Sequence, residues 1–117
     1  MPWLVFYHDA FLSEMEALAE AVQDELLAMV ELLAVVGPTL GRPHADTLAG
    51  SRYAKMKELR FSADNGVWRV AFAFDPERRA ILLVAGDKAG VAQKRFYKTL
   101  IAKADARFAD HFDSLKG

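Results

Sequence analysis

The stretch KMKELRFSADNGVWRVAFAFDPERRAILLVAG, residues 55–86, constrains the fold more than any other part of this 117-residue chain. Two runs of strand-forming residues flank Asp64-Asn65-Gly66. Asn-Gly between such runs predicts a type I′ hairpin, because both central residues of that turn take positive φ. Asp75-Pro76-Glu77-Arg78 turns the chain again, and AILLVAG reads as a third strand. Three strands joined by tight turns make an antiparallel meander.

The flanks supply the remaining layers. WLVFY, residues 3–7, is aromatic and β-branched and predicts a first strand. Phe11, Met15, Leu18, Val22, Leu26, Met29, Leu33 and Val36 recur in steps of three and four, the apolar stripe of one helix or of two in series. Ser13 and Glu16 have capping-box spacing, with Asp9 as the alternative cap, and Gly37-Pro38 stops the helix. Residues 37–53 read as an ordered loop, too short to be a linker between domains. Phe96, Leu100, Ala104, Phe108 and Phe112 trace a last helix over about residues 91–115. The expectation is a single α+β domain over residues 1–117: an N-terminal strand, one or two helices, a three-stranded antiparallel meander and a C-terminal helix.

Composition removes several chemistries. The chain has no cysteine, which excludes disulfides, thiolate catalysis and Cys-ligated zinc. His8, His44 and His111 are scattered without metal-pair spacing, and no P-loop, GxGxxG or GxSxG pattern occurs, so no metal or cofactor is expected. No apolar run is long enough to span a membrane, and Met1-Pro2-Trp3 does not begin a signal peptide; a soluble, cytoplasmic protein is expected. The net charge of −1 conceals an asymmetry. Residues 1–41 carry seven acids and no Lys or Arg, whereas all 15 basic residues fall after them. A basic segment with interleaved aromatics suits a polyanion such as RNA, and an acidic helix suits either a basic partner or solvent.

A site without metal or cysteine must be built from Arg, Lys and Tyr. Strand alternation places Met56, Glu58 and Arg60 on one face and Lys57, Leu59 and Phe61 on the other. In the next strand, bulky Trp68, Val70, Phe72 and Phe74 oppose Val67, Arg69, Ala71 and Ala73, which leaves Arg69 on the more open face. Lys88 follows the third strand, and Lys94-Arg95-Phe96-Tyr97 opens the last helix. A basic sheet face beside an aromatic helix start has the chemistry to grip a phosphodiester.

The phrases GPTLGRP (37–43), MKELR (56–60), WRVAFAFDPERRAILLVAGDKAG (68–90) and KRFYKTLIAKAD (94–105) resemble, in order and separation, toxins of the RelE/ParE superfamily, nearest the HigB-type branch grouped with phage Gp49-like proteins. The resemblance implies a ribosome-dependent endoribonuclease that cuts messenger RNA and is neutralised by a cognate antitoxin, usually a helix-turn-helix protein. It implies catalytic roles for Arg69 as the arginine on the scissile phosphate, Lys88 as a second cation and Tyr97 as a proton-moving phenol. It implies RNA contacts from Lys57, Arg60, Lys94, Arg95 and Phe96, with Phe96 a rival for the aromatic role. The chain departs from the family in a longer basic spacing after Gly86 and in lacking a clear match to the catalytic histidine of some HigB branches. A gyrase-poisoning toxin of the ParE type, and a non-enzymatic antitoxin-binding or co-repressor module, are the competing expectations on the same fold.

Overall fold

The computed structural model describes residues 2–116. In chain order the elements are β1 (Leu4–Tyr7), α1 (Asp9–Glu16), α2 (Glu20–Val36), a 3₁₀ turn (Gly37–Thr39), β2 (Ala45–Thr47), β3 (Lys57–Ala63), β4 (Gly66–Phe74), β5 (Arg79–Asp87) and α3 (Gln93–Leu115). The strands form one five-stranded sheet in the order β1-β5-β4-β3-β2. β3, β4 and β5 are the expected meander, β2 joins its outer edge antiparallel, and β1 returns parallel to β5.

The hairpin turn lies one residue before its expected place. Ala63 pairs with Gly66, so the central residues are Asp64 and Asn65, and both have positive φ. Gly66 is instead the first strand residue, and the reason is steric: a Cβ there meets Trp68 Nε1 at 2.7 Å and Asp87 Oδ2 at 2.8 Å. The helical stretch divides at residues 17–19, and His8 caps α1 through Nδ1, so neither Ser13 nor Asp9 is the cap. Gln23 stabilises the break by donating to the carbonyls of Leu18 and Glu16. Gly37 ends α2 with a φ of 74°, and a side chain there would strike the Trp3 indole. Within the loop of residues 37–53 lies β2, missed in the sequence because three residues are too few to display an alternation.

Two apolar layers sandwich the sheet. On one face Phe11, Leu26 and Leu33 of α1 and α2 pack on Leu59, Val70, Phe72 and Leu82. On the other, Phe96, Leu100, Ala104 and Phe108 of α3 pack on Met56, Ala71, Ala73, Ile81 and Leu83. Each fully buried side chain of this size contributes roughly 1.5–3 kcal/mol. The face carrying Arg69 is therefore not open, as alternation alone suggested, but is roofed by α3. A β-bulge interrupts β5: Ala71 pairs with Val84 and Phe72 with Leu82, leaving Leu83 without a partner in the ladder. As a result Leu83 and Val84 both belong to the α3 side, and Gly86 comes directly beneath the Phe96 ring.

Candidate functional site

Arg60 and Arg69 are cross-strand partners in the β3–β4 hairpin, and their side chains share the face covered by α3. Two like charges directly opposite each other repel. Glu58, two residues before Arg60 on the same face, compensates: its Oε2 accepts from Arg60 NH1 at 2.9 Å, and its Oε1 lies 4.0 Å from Arg69 Nε. Glu58 is 3% exposed and Arg69 is 7% exposed. Tyr97, in the second turn of α3, donates its hydroxyl to Glu58 Oε2 at 3.2 Å and closes the cluster from above. Burial pushes the Tyr97 phenol up from its ordinary pKa, and the bond to the Glu58 carboxylate adds to the shift.

A cleft of about 670 Å³ opens beside this cluster, between β2 and the start of α3. Glu58, Arg60, Lys94, Tyr97 and Lys98 line one part of it, and Asp46, Thr47 and Gln93 another. Lys88 Nζ lies over the Tyr97 ring, 6.0 Å from its centroid. Of the expected site residues, Arg60, Arg69 and Tyr97 thus meet at Glu58, Lys94 lies on the cleft and Lys88 lies near the Tyr97 ring.

Three expected RNA-contacting residues do not join them. Lys57 faces the other layer, where its ammonium donates to the carbonyls of Pro38 and Leu40, and burial lowers its pKa. Phe96 is a core residue, 8% exposed and packed over Gly86, so of the two adjacent aromatics only Tyr97 reaches the cleft. Arg95 borders a separate pocket with Val91, Thr99 and Lys103, around the helix from Lys94. The residue that the sequence did not single out is Glu58. Its signal was present, as the one carboxylate sharing a strand face with Arg60 in KMKELRF.

Among the described residues no group of three or more His, Asp or Glu side chains is placed to hold a metal ion. Among the same residues no helix is long and apolar enough to cross a membrane.

The fold is that of the RelE-like toxins. The chain superposes on a doubly arginine-substituted toxin RelE of E. coli in the free state with a TM-score of 0.59, at 13% identity, covering 88% of this chain and 97% of that one. The archaeal RelE–RelB complex from Pyrococcus horikoshii OT3 supplies a second match, with a TM-score of 0.55 and 16% identity over 78% of this chain and 100% of that one. Residues 13–109 match the family described as phage derived protein Gp49-like (DUF891), and the chain belongs to that family. Two relatives from Mycobacterium tuberculosis (strain ATCC 25618 / H37Rv) are named as candidate toxins. HigB2 is 47% identical over 87 residues, which are 74% of this chain and 43% of that protein. HigB3 is 51% identical over 78 residues, 67% of this chain and 66% of that protein. The match therefore spans well under half of HigB2 and about two thirds of HigB3.

Proposed function

We propose that the chain is the toxin of a type II toxin-antitoxin pair, and that it acts in the cytoplasm by cutting messenger RNA on the ribosome. The observation that carries the reading is the buried Glu58 carboxylate between Arg60 and Arg69 at the wall of a cleft rimmed by Lys94 and Lys98. A carboxylate set among cations is the equipment for transferring a phosphoryl group between two oxygens of one chain.

In the proposed reaction a ribose 2′-hydroxyl attacks the adjacent phosphorus. Its proton passes to Glu58, the bond from phosphorus to the 5′-oxygen breaks, and the leaving oxygen takes a proton from the Lys88 ammonium. The products are a 2′,3′-cyclic phosphate and a 5′-hydroxyl. Arg69 stabilises the charge that grows on the non-bridging oxygens, while Arg60 and Lys94 hold the flanking phosphates. A phenol whose pKa is raised stays protonated at neutral pH, so Tyr97 is not the base. The base is Glu58, which no expectation from the sequence had assigned. A cognate antitoxin is the proposed protein partner, supported by the antitoxin present in the archaeal structural relative.

The test is to incubate the purified protein with ribosomes programmed with a defined message and to map the new 5′ ends. The expected result is cleavage that stops when the nucleotide before the cut is replaced by its 2′-deoxy form. Stalled DNA supercoiling with intact message would instead assign the chain to the gyrase-poisoning class.

A further inference from the structure

Glu58 Oε1 and Arg69 Nε are both fully buried, and neither has a hydrogen-bond partner among the described residues. They face each other across 4.0 Å, too far for a hydrogen bond of their own. Burying two such atoms unpaired is costly, and native structures rarely tolerate it without a use. One is an acceptor and the other a donor. A single hydroxyl between them could donate to Glu58 Oε1 and accept from Arg69 Nε, each bond about 2.8 Å long and the two meeting near a right angle. A phosphate oxygen fits less well there, because it would meet the carboxylate charge against charge.

Beside this gap, the Tyr97 hydroxyl donates to the other carboxylate oxygen of Glu58. The backbone beneath Tyr97 is fixed, because the neighbouring Phe96 is pinned over Gly86. The ring itself is only half-buried, with the cleft on one side of it. The cleft is space into which this one side chain can rotate.

We propose that Glu58 and Arg69 form a subsite for a single hydroxyl, and that Tyr97 is the bolt that keeps it shut until substrate displaces the ring. The identification of the guest as a ribose 2′-hydroxyl rests on the ribonuclease reading; the bolt does not. In the free protein the bolt masks the catalytic pair, so the apparent affinity for a ribonucleotide is reduced by the fraction of molecules that are open.

The test follows the Arg69 Nε–H signal by nuclear magnetic resonance in the full chain and in Tyr97→Phe, with Tyr97→Leu as a second variant lacking both ring and hydroxyl. The probes are a diribonucleoside monophosphate and its 2′-deoxy analogue. Losing a hydrogen bond to a carboxylate should speed exchange of the Arg69 Nε proton with solvent by about tenfold or more, and should tighten binding of the ribo probe by a similar factor. The deoxy probe should leave the Arg69 signal in place. Equal responses to the two probes, or exchange and affinity unchanged in both variants, would overturn the proposal. Cleavage of subsaturating ribosome-bound message by Tyr97→Phe should exceed the parent's; an unchanged or lower rate would sink the bolt, and a hundredfold fall would make Tyr97 a proton carrier. If the parent cuts no message at all, the ribonuclease reading fails, and the exchange and probe measurements still decide whether the subsite and its bolt exist.

Discussion

Glu58 holds Arg60 at 2.9 Å and faces Arg69 at 4.0 Å, so one buried carboxylate offsets two guanidiniums placed directly opposite each other. Glu58→Gln removes the compensating charge while keeping the shape. Leaving a buried cation unpaired costs about 3–5 kcal/mol, and the lower end is expected because Arg60 retains some contact with water. Urea denaturation of Glu58→Gln and of Glu58→Gln with Arg69→Met should show the double variant recovering stability but not cleavage. If the single variant is as stable as the parent, the carboxylate is not the electrostatic hub of the hairpin.

Arg69→Ala and Lys88→Ala should each slow cleavage of ribosome-bound message by about a hundredfold to a thousandfold, the usual effect of deleting one preorganised donor to a developing oxyanion. Arg78→Ala is the matched control. Its guanidinium lies over the Trp3 ring, 4.7 Å from the centroid and remote from the cleft, and losing that contact costs about 0.5–1 kcal/mol without touching activity. Arg79 is unsuitable as a control, because it is bonded to buried Asp75.

Lys57→Ala should behave as a structural substitution. Its ammonium satisfies the carbonyls of Pro38 and Leu40, so its loss should cost about 1 kcal/mol in denaturant titration. RNA affinity and its salt dependence should stay at parental values, while Lys94→Ala should flatten the salt dependence by roughly one phosphate contact. A flattened slope for Lys57→Ala would return that residue to the RNA-binding set.

Asp75 predicts a loss of stability in acid. Burial opposes its charge, but bonds from Arg79, His111 and the Arg79 amide outweigh that and hold the carboxyl below its ordinary pKa of about 3.9. A carboxylate with a lowered folded pKa contributes stability that is complete above the unfolded value and drains away as pH falls toward the folded one. Melting temperatures measured from pH 6 downward should therefore begin to fall near pH 4, and Asp75→Asn should be less stable at neutral pH with a shallower acid decline. An identical acid decline in that variant would remove Asp75 from the account.

Gly86→Ala should damage the site from beneath. A Cβ there lies 2.8 Å from Phe96 Cε1, so the ring must move and carry the first turns of α3 with it. Reduced cleavage together with lower thermal stability is expected, and Phe96→Leu in the same chain should recover part of both. A parental melting curve for Gly86→Ala would show that the contact yields freely.

The meander, both helical layers and the shared face of Arg60 and Arg69 were legible because each is a local pattern: alternation, a three-four step or a turn dipeptide. What escaped were features decided by distant parts of the chain. The sequence of Arg69 among alanines says that its face has small residues, but only the path of α3 says that the face is roofed. Lys57 looked like one more base in a basic stretch, and its partners are carbonyls at Pro38 and Leu40, far back in the chain. Glu58 was overlooked because charge was counted along the segment, whereas a buried carboxylate acts through the few groups it touches. The turn at Asp64-Asn65 was displaced by Gly66, whose constraint is the packing of Trp68 and Asp87.

The unpaired Leu83 in β5 acts as a parity switch for everything downstream of it. Were β5 straightened with every residue kept, the even-numbered positions after Leu83 would turn toward the layer of α1 and α2, and Gly86 would leave the Phe96 ring. The strand could still pair, and the meander would remain. The contacts of Val84 and Gly86 beneath α3 would be lost with it, which makes an irregularity in the strand ladder part of what seats α3 over the site.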